Sequence, residues 1–395
     1  MSSNPVAILG AGMTDMARRD LSPDAMANQA VHEAMVDAGV EAPELSLVVF
    51  SNALAGRLCD QGCIRGQAWL RKSGLGDVPI VNVDNSCAGG TSAVHLGAMA
   101  ARSAERPVLV VGVEKMWTGD RAATLAGIED GLPADYRADM HARFRPDQPR
   151  GSTLMTLNDF WARQFMKERG ATIEQIAAAA VKARRHASMN PLAQVHTAVT
   201  LAQVLEAPPV AGVLTRLLCR SFTAGAAAVV LAGPDHKVPA GTPLIVGSLA
   251  RSGNGEMDYH DRLEKVANAA WEAFGFGPAD VDLVELHDAT SAEELYALES
   301  LGFFGPGEAG PATLAGRTAF GGPGLTVNPS GGLVGRGHPI GATGVAQLVE
   351  LCTHLRGRGG DRQVAGARLG VTVNTGGIIE GDAAYVGIHA VAAGR

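Results

Sequence analysis

The residues best placed for chemistry are one cysteine and one histidine, each set among glycines and about 250 residues apart. The first lies in Asn85-Ser86-Cys87-Ala88-Gly89-Gly90. An apolar run, Ile80-Val81-Asn82-Val83, precedes it, and small residues without proline follow from Ala88 to Ala101, so the pattern predicts strand, turn and helix. Cys87 then stands at a helix N-terminus, where unpaired N–H groups and the positive end of the helix dipole favour a thiolate. The glycines after it would let an acyl group lie against backbone N–H groups able to hold an oxyanion. A cysteine in such a place can also be a small buried hydrophobe. The second motif, Gly337-His338-Pro339-Ile340-Gly341-Ala342-Thr343-Gly344, again opens a helix, and the pairing of the two favours a nucleophile with an imidazole base.

The elements that would position them read as two similar halves. Val6 to Leu9 is an apolar strand running into a glycine-rich turn, Gly10-Ala11-Gly12, which lacks the third glycine of a dinucleotide fingerprint. Ser22-Pro23 starts a helix over Asp24 to Ala38, and Leu47 to Phe50 is the next strand. Laid without a gap over Val266–Ala289, Ala30–Ala53 matches at Ala34 and Ala270, Gly39 and Gly275, and Leu47-Val48 and Leu283-Val284. The shared order of helix, turn, strand and polar loop favours a duplication, with Ser51-Asn52 and His287-Asp288 at equivalent strand ends, where open α/β sheets place their chemistry. The first half covers residues 1–116 and 221–235, and the second covers 243–395. Residues 117–220 read as an inserted, largely helical segment: charges and prolines break the pattern up to Pro149, then Phe160 to Glu168 and Ile173 to His186 are amphipathic. Its basic cluster, Lys182, Arg184, Arg185 and His186, is either a solvated helix face or a contact to an anionic ligand such as a phosphate.

Composition narrows the classes. At 395 residues, 46% apolar and 18% charged, the chain can bury more than one core, and its net charge of −7 leaves no electrostatic footprint for nucleic acid. Five irregularly spaced cysteines form no disulfide framework, and no run approaches the roughly 20 apolar residues of a membrane span, so a reducing cytoplasm is expected. Cys59 and Cys63 have no second ligand pair at matching spacing, which argues against zinc and leaves no metal expected.

Taken together, the two motifs make the chain resemble the thiolase superfamily, and within it the sterol-carrier-protein-type thiolases and thiolase-like lipid-transfer proteins. Leu217-Leu218-Cys219, the run Gly225 to Leu231, and Arg185-His186 with Asn190-Pro191 extend the likeness over nearly the whole chain. The resemblance implies an α/β fold of two five-stranded mixed sheets with helices in layers, an inserted loop domain that helps hold coenzyme A, and a homodimer. It implies Cys87 as the nucleophile that takes up an acyl group, and His338 as its activator and as a donor to the second substrate's oxyanion. His287, in His287-Asp288-Ala289-Thr290, would orient a water, and the N–H of Gly376 would join that of Cys87 in the other oxyanion hole. Where most thiolases carry a second, acid/base cysteine, this chain has Asn374 in Asn374-Thr375-Gly376-Gly377; Asn374 and Asp288 are secondary candidates. A neutral amide exchanges no proton near pH 7, so the α-carbon proton falls to a histidine, a water or the carbanion's own resonance.

The expected activity is cleavage of a β-keto acyl-CoA by coenzyme A through an acyl-cysteine, with no tightly bound cofactor and coenzyme A as substrate. Two rivals are a retro-aldolase acting on a β-hydroxy acyl-CoA, argued against by the intact Cys87, and a non-catalytic acyl-CoA carrier or scaffold. The resemblance also implies a possible partner, because some proteins of this subgroup work with a small subunit carrying a zinc ribbon and an OB-type acyl-CoA-binding domain; the altered Asn374 loop and the Lys182 to His186 cluster suggest that the proton donor and part of the coenzyme A site are incomplete without it.

Overall fold

The computed structural model describes residues 4–18, 20–144 and 152–394; the proline-containing stretch ending at Pro149 lies outside them. Among the described residues twelve strands form in chain order: β1 (Val6–Met13), β2 (Leu47–Ser51), β3 (Ile80–Val83), β4 (Val108–Lys115), β5 (Pro209–Ala211), β6 (Leu214–Thr215), β7 (Ala224–Ala232), β8 (Leu244–Ser252), β9 (Leu283–Glu285), β10 (Thr326–Val327), β11 (Leu369–Ile379) and β12 (Asp382–Ala392). β5 and β6 make a separate two-stranded ribbon.

The other ten make one sheet in the order β10-β9-β11-β12-β8-β1-β7-β4-β2-β3. It consists of the same five-stranded pattern twice. In the first half β2 runs parallel to β3 and β4, β4 pairs antiparallel with β7, and β7 with β1. The second half repeats each relation with β9, β10, β11, β12 and β8. A short antiparallel pairing, Val6 with Ile245 and Ala7 with Leu244, joins the halves. The echo between Ala30–Ala53 and Val266–Ala289 is therefore a structural duplication. Gly39 and Gly275 each end a helix in the left-handed conformation (φ 63° and 73°), and each helix is followed by a short turn and a strand.

The expected turn at Gly10-Ala11-Gly12 is instead strand, because β1 continues to Met13. A side chain at Gly10 would sit 2.1 Å from the Ala34 carbonyl oxygen, so the glycines let the helix Pro23–Ala38 lie directly on the strand.

Between β4 and β7 the described chain is mostly helical, with Arg121–Glu129, Ala134–Phe144, Thr153–Arg169, Ile173–Ser188 and Leu201–Leu205. The first two fall where charges hid the apolar period; Asp120 caps the first by accepting from the Ala123 N–H. Trp161, Phe165 and Ile176 of this segment share one apolar core with Tyr259, Leu263 and Leu295 of the second half. Among the described residues no helix is long and apolar enough to cross a membrane.

Candidate active site

Cys87 follows β3 through a 3₁₀ turn, Ser86–Ala88, that opens the helix Gly89–Ser103. Ser86 holds a left-handed backbone (φ 50°), rare for a residue with a side chain, and the Asp84 carboxylate fixes it by accepting the Ser86 N–H at 3.0 Å. The opposite motif is built the same way: β10 leads through a buried loop to His338, a turn over Ile340–Ala342 and the helix Thr343–Leu355. The two helix starts meet at backbone contact. A side chain at Gly90 would lie 2.9 Å from the Gly344 nitrogen, and one at Gly344 only 2.2 Å from the Thr91 nitrogen.

Hydrogen bonds favour one tautomer of His338. Thr343 Oγ1 lies 3.1 Å from the Pro339 carbonyl and 2.7 Å from His338 Nδ1; with its proton directed to the carbonyl, it accepts from Nδ1–H. Nε2 is then a bare lone pair, buried and without a partner. Burial, helped by Arg220, holds the imidazole's pKa well below its usual value, so the ring is neutral and ready to accept. Thr223 Oγ1 accepts the His338 backbone N–H at 3.0 Å, and the buried Glu114 carboxylate accepts from the N–H groups of Ala53 and Gly341.

His287 stands at the end of β9. Its Nδ1 lies 2.7 Å from Thr375 Oγ1, which is in turn hydrogen-bonded to the Tyr259 hydroxyl. Its Nε2 is buried and unpartnered, and burial pushes its pKa down to about 3. Cys87 Sγ and one ring nitrogen from each of His287 and His338 all lie within 4.8 Å of one another. Gly376 closes the group from β11: a side chain there would lie 2.1 Å from the Asn85 carbonyl oxygen, so only glycine lets this strand touch the Cys87 turn.

These residues open onto a pocket of about 600 Å³ whose walls include Ile128, Leu132, Leu154, Met155, Trp161 and Ile378. The inserted segment thus supplies much of the apolar lining. Burial reverses the thiolate expected at the helix start: it pushes the Cys87 thiol up, and nearby Arg220 offsets only part of this. The resting pair is therefore thiol and neutral imidazole, and the proton must move as the sulfur attacks.

Sequence reasoning placed other residues less well. Asn374 does not reach the pocket; strand alternation turns it to the opposite face, where its amide bonds Thr91 and Gln347, and Thr375 takes the pocket side. Asp288 points away as well, accepting the Leu333 N–H at 2.8 Å and holding the loop before His338. Of the basic cluster, Lys182 is buried in an ion pair with Glu294 at 2.6 Å, and Arg184 is buried. His186 lies between the Asn328 carbonyl and the Phe320 N–H, with its pKa down to about 3. Only Arg185 is exposed, so the cluster is internal structure and not an anion-binding face. Thr343, Thr375, Glu114 and Arg220 were missed; single polar residues carry no periodic signal. Among the described residues the one cluster of three potential metal ligands is Cys87, His287 and His338.

Comparison with known proteins agrees with this architecture. Residues 6–201 match the family model for the thiolase N-terminal domain, and residues 255–387 the model for a thiolase C-terminal domain-like region. Acetyl-CoA acetyltransferase of Methanothermobacter thermautotrophicus is 37% identical over 383 residues, covering 94% of this chain and 96% of that protein. Sterol carrier protein 2 of Bos taurus is 30% identical over 391 residues, covering 94% of this chain and 70% of that protein. The solved Ltp2-ChsH2(DUF35) aldolase superposes with a TM-score of 0.80 at 23% identity, covering 99% of this chain and 98% of that one.

Proposed function

Because this chain belongs to the thiolase superfamily, in its sterol-carrier-protein-type branch, and is an acyltransferase by kinship, we propose that it cleaves a β-keto acyl-CoA with coenzyme A through an acyl-Cys87 intermediate. The observation that carries this reading is the Cys87–His338 pair, with His338 Nδ1 held by Thr343 and Nε2 left without a partner. In the first half-reaction the Cys87 proton passes to His338 Nε2 and the sulfur attacks the β-carbonyl. The Cα–Cβ bond breaks, leaving an acyl thioester on Cys87 and the enolate of the shortened CoA ester, which takes a proton from the imidazolium. In the second, the coenzyme A thiol gives its proton to the imidazole and attacks the thioester, releasing the new acyl-CoA, and the imidazolium returns the proton to the departing Cys87 sulfur.

His287, held by Thr375 and Tyr259, orients a water or donates to the enolate oxygen, and the N–H groups of Cys87 and Gly376 hold the oxyanion on the acyl side. Coenzyme A is the substrate, and no tightly bound cofactor is required. Retro-aldol cleavage of a β-hydroxy acyl-CoA is disfavoured, because it has no use for a cysteine poised beside a bare imidazole nitrogen. The test is mass spectrometry of the intact protein after brief exposure to β-keto acyl-CoAs. An added acyl group on Cys87, removed by coenzyme A and missing from Cys87→Ala, supports the reading; turnover with no adduct and with an active alanine variant sinks it.

The working assembly is a homodimer. β3 is a sheet edge with Val81 47% exposed, and Leu96 and Met99 (41% and 52% exposed) stand on the helix Gly89–Ser103, an apolar set suited to a second copy. A further small zinc-ribbon subunit completes the coenzyme A site, a reading supported by the likeness of this chain to the Ltp2-ChsH2(DUF35) aldolase. Full activity of the chain alone, without gain from a co-expressed zinc-ribbon protein, overturns that second step.

A further inference from the structure

Among the described residues Arg220, a cation at the pocket, has no partner for its charge. Its backbone is pinned beside the His287 strand end, through an N–H to the Ala289 carbonyl (3.4 Å) and the neighbouring bridge from Cys219 to Thr290. Its side chain lines the pocket beside Cys87 and His287. Among the described residues the guanidinium has no hydrogen-bond acceptor and no ion pair, and its Nε is fully buried without a partner. The one carboxylate among the described residues lining the pocket, Glu293, is already committed: its Oε2 lies 3.3 Å from His260 Nε2, in a pair that raises the pKa of His260. A guanidinium stays charged at any ordinary pH, and an uncompensated charge between apolar walls is costly. Such a group persists where a ligand completes it. Its planar fork matches a carboxylate, which it holds with two parallel N–H···O bonds.

We propose that Arg220 selects acyl-CoA substrates whose acyl part carries a free carboxylate in addition to the thioester. This rests on the thiolase reading above and names the substrate class for that same pocket. The anion cannot be a coenzyme A phosphate, because the neutral pantetheine arm holds the phosphates away from the thioester, whereas Arg220 sits with the nucleophile. The apolar walls, with Trp161 stacked on Tyr259 at 4.6 Å, take the hydrocarbon part of the same chain.

The experiment separates binding from turnover. Calorimetric titration of the Cys87→Ala protein, which cannot take up the acyl group, with saturated esters of matched length, succinyl- against butyryl-CoA and adipyl- against hexanoyl-CoA, reads the carboxylate preference directly, and Arg220 is varied in that background. At the favoured length the carboxylate ester binds about 10- to 100-fold tighter, the size of a charge-assisted pair. Arg220→Gln abolishes that ratio, and Arg220→Lys keeps part of it because the charge remains without the fork. The ratio of kcat/KM for 3-oxoadipyl- over 3-oxohexanoyl-CoA falls in parallel.

No preference at any length, or an Arg220→Gln loss equal for carboxylate and methyl-ended esters, overturns the assignment; in the latter case Arg220 serves the sulfur or the coenzyme. A binding preference without any acylation of Cys87 leaves this inference standing and removes thiolysis. Acylation and thiolysis without a preference do the reverse.

Discussion

Gly344→Ala removes no functional atom, yet it should cripple the enzyme. By intrinsic propensity alone, replacing a glycine inside a helix with alanine stabilises by about 1 kcal/mol. Here the new methyl would lie 2.2 Å from the Thr91 nitrogen and 2.2 Å from Thr91 Oγ1, and 2.8 Å from the Gly90 carbonyl carbon. Ordinary contact begins at about 3.4 Å, so the helix starts must part by roughly 1.2 Å. Those atoms are mostly backbone, and no side-chain rotation relieves them. Overpacking of this kind costs about 1 to 3 kcal/mol, which exceeds the propensity gain.

The catalytic penalty is larger, because Cys87 lies just before one helix start and His338 just before the other. A displacement of about 1 Å between nucleophile and base costs on the order of 10²-fold in rate. The assay is thiolysis kcat beside the rate of Cys87 alkylation by iodoacetamide, with thermal melting as the fold control. Gly277→Ala is the matched null, since a side chain there meets nothing within 4 Å and its φ of −122° suits any residue. Wild-type kcat and melting in Gly344→Ala would show that the two turns are not held in register by this contact, and the geometric account of the site would fall.

Three further outcomes follow from the same contacts. Cys87→Ala should lose several orders of magnitude in turnover while melting within a few degrees of wild type, since the site abuts small residues and the pocket; a well-folded, active alanine variant would remove the acyl-enzyme. Thr343→Val strips His338 Nδ1 of its acceptor and should cost about 1 to 3 kcal/mol in urea unfolding, with kcat falling more than KM rises because the base loses its fixed tautomer. His389 is fully buried, its Nε2 3.1 Å from the Thr91 carbonyl, and its pKa is depressed to about 3. A depressed imidazole contributes stability that is present above its unfolded pKa of about 6.5 and lost as pH falls toward 3, roughly 2 kcal/mol by pH 5. His389→Gln, which can keep the bond to Thr91, should therefore lose about that much less than wild type between pH 7 and pH 5. An unchanged slope would show that another group carries the acid lability. Glu114, raised to about 7 by burial, works in the opposite sense over the same window, so the comparison has to be made between variants rather than from one curve.

What the sequence revealed and what it hid divide along physical lines. The duplication was legible because apolar periodicity, two helix-ending glycines and a repeated strand start are local patterns, and each survives in a single window of sequence. Cys87 and His338 were legible because glycines at helix starts mark a backbone that must approach something closely. The basic cluster misled for the reason that charge in a sequence carries no depth: Lys182 looks solvated until Glu294, more than a hundred residues away, is seen to pair with it inside the core. Asn374 misled by one position, since a strand sends neighbours to opposite faces and a motif alone does not say which face is the pocket. Arg220 was invisible because its meaning lies in lacking a partner, which only three dimensions can show.

The duplication also explains why the site needs both halves. The equivalent strand pairs, β2 with β4 and β9 with β11, put Ser51 in the place of His287, and Glu114 in the place of Gly376. Each central strand end grips the turn of the opposite half. Glu114, ending β4 in the first half, accepts the N–H of Gly341 beside His338; Gly376, in β11 of the second half, lies against Asn85 and Ala88 around Cys87. At the other equivalent pair the halves have diverged in what they offer the pocket. Ser51 is small enough that Gly89 packs over it, a side chain on Gly89 falling 2.6 Å from Ser51 Oγ, whereas His287 projects into the pocket with an unpaired nitrogen. One half therefore supplies the sulfur on a closely packed floor, and the other supplies two imidazoles facing it. Because each half clamps the other's reactive turn, loosening either strand end displaces the partner half's residue first, and a symmetric scaffold yields a site with distinct nucleophile and base sides.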